Sequence, residues 1–377
     1  MIRVLHVIGA MDRGGAETMV MNLYRAIDRE SVQFDFLVHE DRECDYDAEI
    51  RHLGGVIHRL PRFVGLNIRE YRSLCRDFFT NHPEYPIVHG HIGSCAAIYL
   101  SEAKRAGRFT IAHSHAQNFG APLENLSFRL VSYPTRYVAD WFFGCSLEAG
   151  SDRFGKSVVE GERFSVLDNG IDLDLYRCDE VMHRQAKLSL GFQEQPLFGH
   201  VGRLAPEKNH RFLFEVFAQI KTMLPESVLL LVGRGPLEGE LAVFAERLGI
   251  DDSVRFLGVR DDVPLLLKAM DVFIFPSVKE GLPVASIEAQ ASGLPCVMST
   301  GVPERAVVSE KAVRIPLSLG AAAWASEAIS LHSQTCGAGR ADYTAQVRDR
   351  GFDIHQTARR LQTFYEQIAL GEKGVRF

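Results

Sequence analysis

Glu280 and Glu288 stand eight positions apart, and the residues around them could build an anion site. Glu280 lies in a Gly/Pro turn that follows the apolar run Val272–Phe275, which reads as a buried strand. Glu288 lies inside a segment that reads as a helix, and Pro283 suits the first turn of that helix, where a missing N–H costs nothing. A strand, a tight turn and a helix with free N–H groups together offer a seat for an anion. Glu288, about one turn in, can accept hydrogen bonds from a hydroxyl pair beside that anion, as an acidic residue does for ribose in dinucleotide folds. The stretch therefore suits a sugar nucleotide. The pattern also admits a plainer reading, in which Glu280 caps the helix and Glu288 is solvated.

Two cations could serve the same anion. Arg203 and Lys208 sit five positions apart in Gly202-Arg203-Leu204-Ala205-Pro206-Glu207-Lys208-Asn209-His210, after the apolar run Leu197–Val201. On a loop between strand and helix they could bracket a diphosphate, Arg as a planar fork and Lys as a point charge. Ordinary surface charges would give the same letters. Near the start, Gly14-Gly15 separates a first strand from a helix beginning near Ala16-Glu17 and would let a ligand approach the backbone. A plain tight turn is the alternative, because no full G-x-G-x-x-G is present. Gly233-Arg234-Gly235 is half of such a fingerprint and lacks its third glycine.

His89/His91 and His113/His115 fall at strand ends. In a strand, residues i and i+2 share a face, so each pair could hold a metal ion or line a polar crevice. No third ligand is identifiable, and hydrogen-bonding histidines are the expectation. Asp172-Leu173-Asp174 is read as turn chemistry.

The elements that must position these residues alternate along the chain. Strands are expected at Met1–Ala10, Phe34–Val38, Val56–Arg59, Ile87–Gly90, Phe109–Ala112, Trp141–Cys145, Phe164–Leu167, Leu197–Val201, Val228–Val232, Val254–Leu257 and Val272–Phe275, with helices between many of them. That alternation implies an α/β protein with parallel sheets covered by helices. A length of 377 residues is too great for one ordinary core, so two domains are expected. The polar, irregular stretch from Leu173 to Gln195 reads as the linker. The closing segment Phe352–Leu370 has helical apolar spacing and no strand after it, so it is expected to pack back across the domains.

Composition excludes several classes. A net charge of −6 argues against a general nucleic-acid binder. Seven scattered cysteines fit neither a zinc knuckle nor a disulfide framework, and they suit a reducing cytosol. No run of eighteen apolar residues suggests a membrane span, and the N-terminus reads as a strand rather than a signal peptide. Leu123–Ala139, where Arg129 and Arg136 stand among apolar and aromatic residues, could lie on a membrane surface, bind a lipid diphosphate or form a partly buried helix.

Taken together, Gly14-Gly15-Ala16-Glu17, Asn169-Gly170-Ile171-Asp172, the Val201–His210 motif and Glu280-Gly281-Leu282-Pro283 with Ile287-Glu288-Ala289 resemble the retaining glycosyltransferases of family 4. The resemblance covers nearly the whole chain, and the overall look is close to bacterial enzymes of exopolysaccharide or capsule assembly. It implies the GT-B fold, two Rossmann-like domains facing each other across a cleft. The expected divisions are 1–172 on the acceptor side, 173–195 as linker, 196–351 for the nucleotide sugar, and 352–377 as a helix returning to the N-terminal domain.

The resemblance also implies roles. Glu288 would bind the ribose hydroxyls, and Arg203 and Lys208 would neutralise the diphosphate. Gly281 and the N–H groups of Leu282 and Val284 would assist, with Pro283 shaping the turn. Glu280 and His113 would contact the transferred sugar, His115 being the weaker match. Val259 and Arg260 would lie near the base, and Gly14-Gly15 would approach the phosphates. Ser299-Thr300 stands where the family more often has Ser followed by an acid. The implied reaction moves a hexose-type sugar from a nucleotide-diphosphate sugar, UDP favoured, to a growing lipid-linked saccharide at the cytoplasmic face of the inner membrane, with no cofactor and no metal. The alternative of the same fold is a nucleotide-sugar 2-epimerase or hydrolase. A two-domain solute-binding protein and a degenerate homologue are further alternatives.

Overall fold

The computed structural model describes residues 1–115, 132–372 and 374–377, with the side chains of 336–338 left aside. The chain divides into two compact units, residues 1–170 with 354–377, and residues 171–353. Residues 123–131 of the stretch read as a membrane or lipid candidate lie outside the described residues.

The first unit is built on seven strands: β1 (Ile2–Val7), β2 (Val32–Val38), β3 (Ile57–Arg59), β4 (Ile87–Gly90), β5 (Phe109–Ser114), β6 (Trp141–Gly144) and β7 (Phe164–Val166). They lie in the order β3-β2-β1-β4-β5-β6-β7, all pairs parallel. Side chains alternate between faces, so Val4 joins one buried cluster while Leu5 and Val7 join the other. Helices cover both faces, as a parallel sheet requires. The helix Gly15–Ala26 buries Met19, Val20, Leu23 and Tyr24. The closing helix Ile354–Ala369 buries Ile354, Ala358, Leu361, Phe364 and Tyr365 in the same cluster as Val4.

The second unit holds β8 (Leu197–Val201), β9 (Val228–Val232), β10 (Val254–Gly258), β11 (Val272–Phe275), β12 (Cys296–Ser299) and β13 (Ala312–Ile315). Their order is β10-β9-β8-β11-β12-β13, again all parallel. Both sheets are therefore doubly wound, and each reverses its strand order once: between β1 and β4, and between β8 and β11. Ligands of such sheets bind beyond the carboxyl ends of the strands at that reversal.

Leu173–Gln195 is not an irregular linker. It forms the helices Leu173–Tyr176 and Glu180–Ser189, which belong to the second unit. Lys187 Nζ lies 2.8 Å from Asp271 Oδ2, and Leu197 N–H donates to the same oxygen at 2.7 Å. Burial opposes the Asp271 charge, but bonds from His183, Lys187 and Leu197 outweigh it and hold the carboxyl at about 2. A buried lysine with an aspartate partner reads from sequence as a solvated polar residue.

Candidate active site

In the second unit the loops after β8 and β11 meet at the strand-order reversal. Lys208 Nζ lies 2.6 Å from Glu280 Oε1, and both side chains are mostly covered, at 18% and 12% exposure. The Lys208 ammonium also lies 5.0 Å from the centre of the Phe275 ring. A backbone bond from Val278 N–H to Glu207 O at 2.8 Å ties the two loops together, and Glu280 N–H to Gly301 O at 3.0 Å ties the second of them to the loop after β12. Ser299 Oγ donates to Ser277 O and accepts from Gly301 N–H, so the residue at this point of the family pattern fixes the floor of the loop. Among the described non-glycine residues only Asn209 has a positive φ, 57°. That left-handed turn joins the short helix Pro206–Lys208 to the helix His210–Met223 and aims Lys208.

Arg203 is exposed and has no side-chain partner among the described residues. Its loop is knitted to the loop after β9 by Leu204 N–H to Arg234 O at 3.1 Å. A Cβ added at Gly233 or Gly235 would collide with the carbonyls of Gly202 or Leu204. These two glycines thus allow loop-to-loop contact and do not form a dinucleotide fingerprint.

The helix Val284–Ala291 starts one residue later than expected, with Pro283 as its N-cap rather than in its first turn. Ser286 N–H donates to Pro283 O at 3.1 Å, which leaves the N–H groups of Val284 and Ala285 as those at the helix start without an intrahelical acceptor. Gln290 pins it, donating to Ala306 O at 2.7 Å and accepting from Val308 and Ser309 N–H. Glu288 Oε1 accepts from Tyr176 Oη at 2.6 Å, and Oε2 has no partner among the described residues. Burial pushes the Glu288 carboxyl up, and the Tyr176 bond partly offsets this. Tyr176, 112 residues away, had no local signal in the sequence. Val259 is exposed, and Arg260 is held in a two-point pair with Asp262 at 2.7 and 2.6 Å.

In the first unit, at the corresponding reversal, five histidines converge from β1, β4 and β5 and the residues just after them. His6, His89 and His113 are fully buried, and His91 nearly so. Two hydrogen-bonded chains run through them. One is His115 Nε2 to His91 Nδ1 at 2.7 Å and His91 Nε2 to His6 Nδ1 at 2.9 Å. The other is Tyr365 Oη to His89 Nδ1 at 2.6 Å and His89 Nε2 to His113 Nδ1 at 3.2 Å. Burial pushes all five imidazoles below their ordinary value, His115 to about 3 with help from the Arg153 charge, so all are neutral near pH 7. The fold supplies the third histidine that sequence could not: ligand nitrogens of His6, His89 and His91, and of His91, His113 and His115, lie within 4.8 Å of one another.

Gly14 and Gly15 follow β1 beside this cluster's strands. Gly14 is extended, with φ −109°, and a Cβ there would strike the Glu17 carboxylate. The turn offers N–H groups, but its neighbour is a carboxyl, pushed up by burial, rather than a cation.

Residues 13–175 match the family described as Glycosyltransferase Family 4, and residues 195–334 match Glycosyl transferases group 1. A Bacillus subtilis (strain 168) relative, named Putative glycosyltransferase EpsF, is 35% identical over 375 residues, 96% of each chain. The chain belongs to the glycosyltransferases of family 4. An Escherichia coli relative, named UDP-Gal:alpha-D-GlcNAc-diphosphoundecaprenol alpha-1,3-galactosyltransferase, is 29% identical over 79% of each chain. In fold, the glycosyltransferase is similar to Anabaena HepE in complex with UDP, with a TM-score of 0.77, 18% identity, and coverage of 98% of this chain and 100% of that one. The protein is therefore a GT-B glycosyltransferase, and among its described residues no helix is long and apolar enough to cross a membrane.

Proposed function

We infer that this enzyme moves a hexose from a UDP-sugar to a growing, lipid-linked polysaccharide, with retention of anomeric configuration. One observation carries the reading: Lys208 and Glu280 pair at 2.6 Å on the loops after β8 and β11, at the strand-order reversal of the second sheet, with Arg203 on the same loop as Lys208 and the helix Val284–Ala291 starting just after Glu280. Breaking the sugar–phosphate bond puts negative charge on the leaving diphosphate. Arg203, Lys208 and the Val284 N–H supply fixed positive charge there without a metal. Glu288 Oε2 accepts from the ribose, while Tyr176 holds Oε1. Gly281, Leu282 and Pro283 shape the turn, and Val259 and Arg260 flank the base. Glu280 and His113 contact the sugar, and Gly14-Gly15 the phosphates. The C1–O bond to phosphate breaks as the acceptor oxygen bonds C1 on the same face, and the acceptor proton passes to the leaving phosphate oxygen.

The name of the Escherichia coli relative, a UDP-Gal:alpha-D-GlcNAc-diphosphoundecaprenol galactosyltransferase, supports both a UDP-sugar and a diphosphoundecaprenol-linked acceptor. Peripheral membrane contact fits such an acceptor. It is also supported by the exposed loop tip Val64-Gly65-Leu66, which lies between Arg62 and Arg69, and by exposed Tyr133 and Tyr137 beside Arg136.

The test is a donor panel with and without an undecaprenyl-diphosphate saccharide. Product formation from one UDP-sugar only with acceptor present is expected. Donor turnover at equal rate without acceptor would instead establish the epimerase or hydrolase.

A further inference from the structure

Tyr365 lies on the closing helix, 276 residues after His89, yet its hydroxyl is fully buried against that histidine. Among the described residues it has no other hydrogen-bond partner. His113 Nε2 is likewise buried with no partner among them. Each neutral imidazole has one N–H and one lone pair, so the chain Tyr365–His89–His113 can be polarised in only two ways.

In the first, the Tyr365 hydroxyl donates to His89 Nδ1, His89 Nε2–H donates to His113 Nδ1, and His113 carries its proton on Nε2. One buried donor is left open, at His113. In the second, His113 Nδ1–H donates to His89 Nε2 and His89 Nδ1–H donates to the tyrosine oxygen. That strands the tyrosine proton as well as the His113 Nε2 lone pair, two open groups instead of one. Each additional buried group without a partner shifts such an equilibrium by about 5- to 150-fold.

We propose that Tyr365 is a positioning residue that fixes the tautomer of His113 through His89, so that His113 presents Nε2–H as a hydrogen-bond donor. The chain His115–His91–His6 has no such bias, since it ends in imidazoles on both sides and either polarity leaves one donor and one acceptor open. A neutral Nε2–H donor suits a sugar hydroxyl. It cannot accept an acceptor's proton at that atom, so His113 binds and orients rather than acting as general base. That His113 meets the sugar rests on the function proposed above; the tautomer assignment does not.

Nitrogen-15 NMR of histidine-labelled full-length protein tests it, the His113 signals being those missing from His113→Gln. A protonated Nε2 and a bare Nδ1 are expected in the unaltered protein. In Tyr365→Phe the two tautomers become comparable, so the two nitrogen shifts move toward each other and kcat falls about twofold at unchanged acceptor KM. A protonated Nδ1 in the unaltered protein, or an unmoved spectrum in Tyr365→Phe, overturns the proposal. Activity separates the two readings. Gln can replace an Nε2–H donor, so His113→Gln should stay within about tenfold while His113→Ala loses about 10²–10³. Full activity of His113→Ala with the expected spectrum would remove the sugar contact and leave the tautomer assignment standing.

Discussion

Lys208 Nζ and Glu280 Oε1, 2.6 Å apart, join the loop after β8 to the loop after β11. Both are mostly covered, so removing one partner leaves the other charge poorly solvated. Lys208→Met should cost more activity than Arg203→Ala, whose side chain is exposed, although each removes one of the cations proposed for the diphosphate. A loss of about 10²–10³ in kcat is expected for Arg203→Ala. The double variant Lys208→Met/Glu280→Gln should fall short of the summed single effects in thermal midpoint. Full transferase activity in Arg203→Ala would remove the diphosphate role.

Tyr176 gives Glu288 one hydrogen bond at 2.6 Å and leaves Oε2 for a ligand. Hydrogen bonds to charged groups contribute about 1.5–3 kcal/mol, and part of that should appear as preorganisation for the ribose. Tyr176→Phe should weaken UDP binding by about tenfold in calorimetry. Glu288→Ala should abolish the thermal shift with UDP, which at 100 times the dissociation constant amounts to about 2.7 kcal/mol. Equal UDP affinity in Glu288→Ala would move the ribose site elsewhere.

The apolar runs, Leu197–Val201, Val228–Val232 and Val272–Phe275, coincide with β8, β9 and β11 because strands buried on both faces are almost wholly apolar, buried His200 being the one polar residue in them. The strands β12 and β13, Cys-Val-Met-Ser and Ala-Val-Arg-Ile, lack the unbroken run of large apolar residues that marks β11. Local spacing also exposed Arg203, Lys208, Glu280 and Glu288, since loop and helix place them within one motif each. What escaped were long-range partners. Tyr176 and Lys187 sit in helices that read as linker, and His6 and Tyr365 join the histidine pairs only once the sheet order is known. Sequence separation hides such contacts, and only the topology reveals them.

Asp271 gives the second unit a pH dependence. Its folded value, about 2, lies below the ordinary carboxylate value of 3.8. A depressed acid contributes stability above its unfolded value and loses it as pH falls toward the folded one. The contribution is about 2 kcal/mol at neutral pH and should vanish between pH 4 and 2. Thermal midpoints measured across that window should drop less steeply in Asp271→Asn, which should already be destabilised at pH 7. An identical acid profile would dismiss the Lys187–Asp271 pair as a stabilising element.

The histidine cluster has nitrogens close enough for a metal ion, but most already bond to another imidazole or to Tyr365. The Arg153 charge that helps depress His115 would also repel a dication. Transfer should therefore continue within twofold of its starting rate after exhaustive chelation. A tenfold loss restored by zinc or magnesium would show that the cluster or the diphosphate site uses a metal.

Leu66 is 98% exposed and Val64 65%, on a loop tip turned by Gly65 at φ 83°. Arg62 and Arg69 flank it, and Arg69, Arg72 and Arg76 line a groove of about 440 Å³ with Ile68 and Ser73. Apolar tips between guanidinium groups suit an anionic bilayer, where each basic residue near the surface contributes about 1 kcal/mol and the apolar side chains insert. The protein should float with phosphatidylglycerol vesicles and stay behind with phosphatidylcholine. Leu66→Glu should abolish flotation, and Arg69→Glu should weaken it in a salt-dependent way, neither changing the thermal midpoint by more than about 2 °C because both side chains are exposed. Turnover of a soluble, short-chain acceptor should be unchanged in Leu66→Glu while turnover of the full lipid acceptor in vesicles falls. Flotation of Leu66→Glu equal to that of the unaltered protein would assign the exposed tip no part in membrane contact.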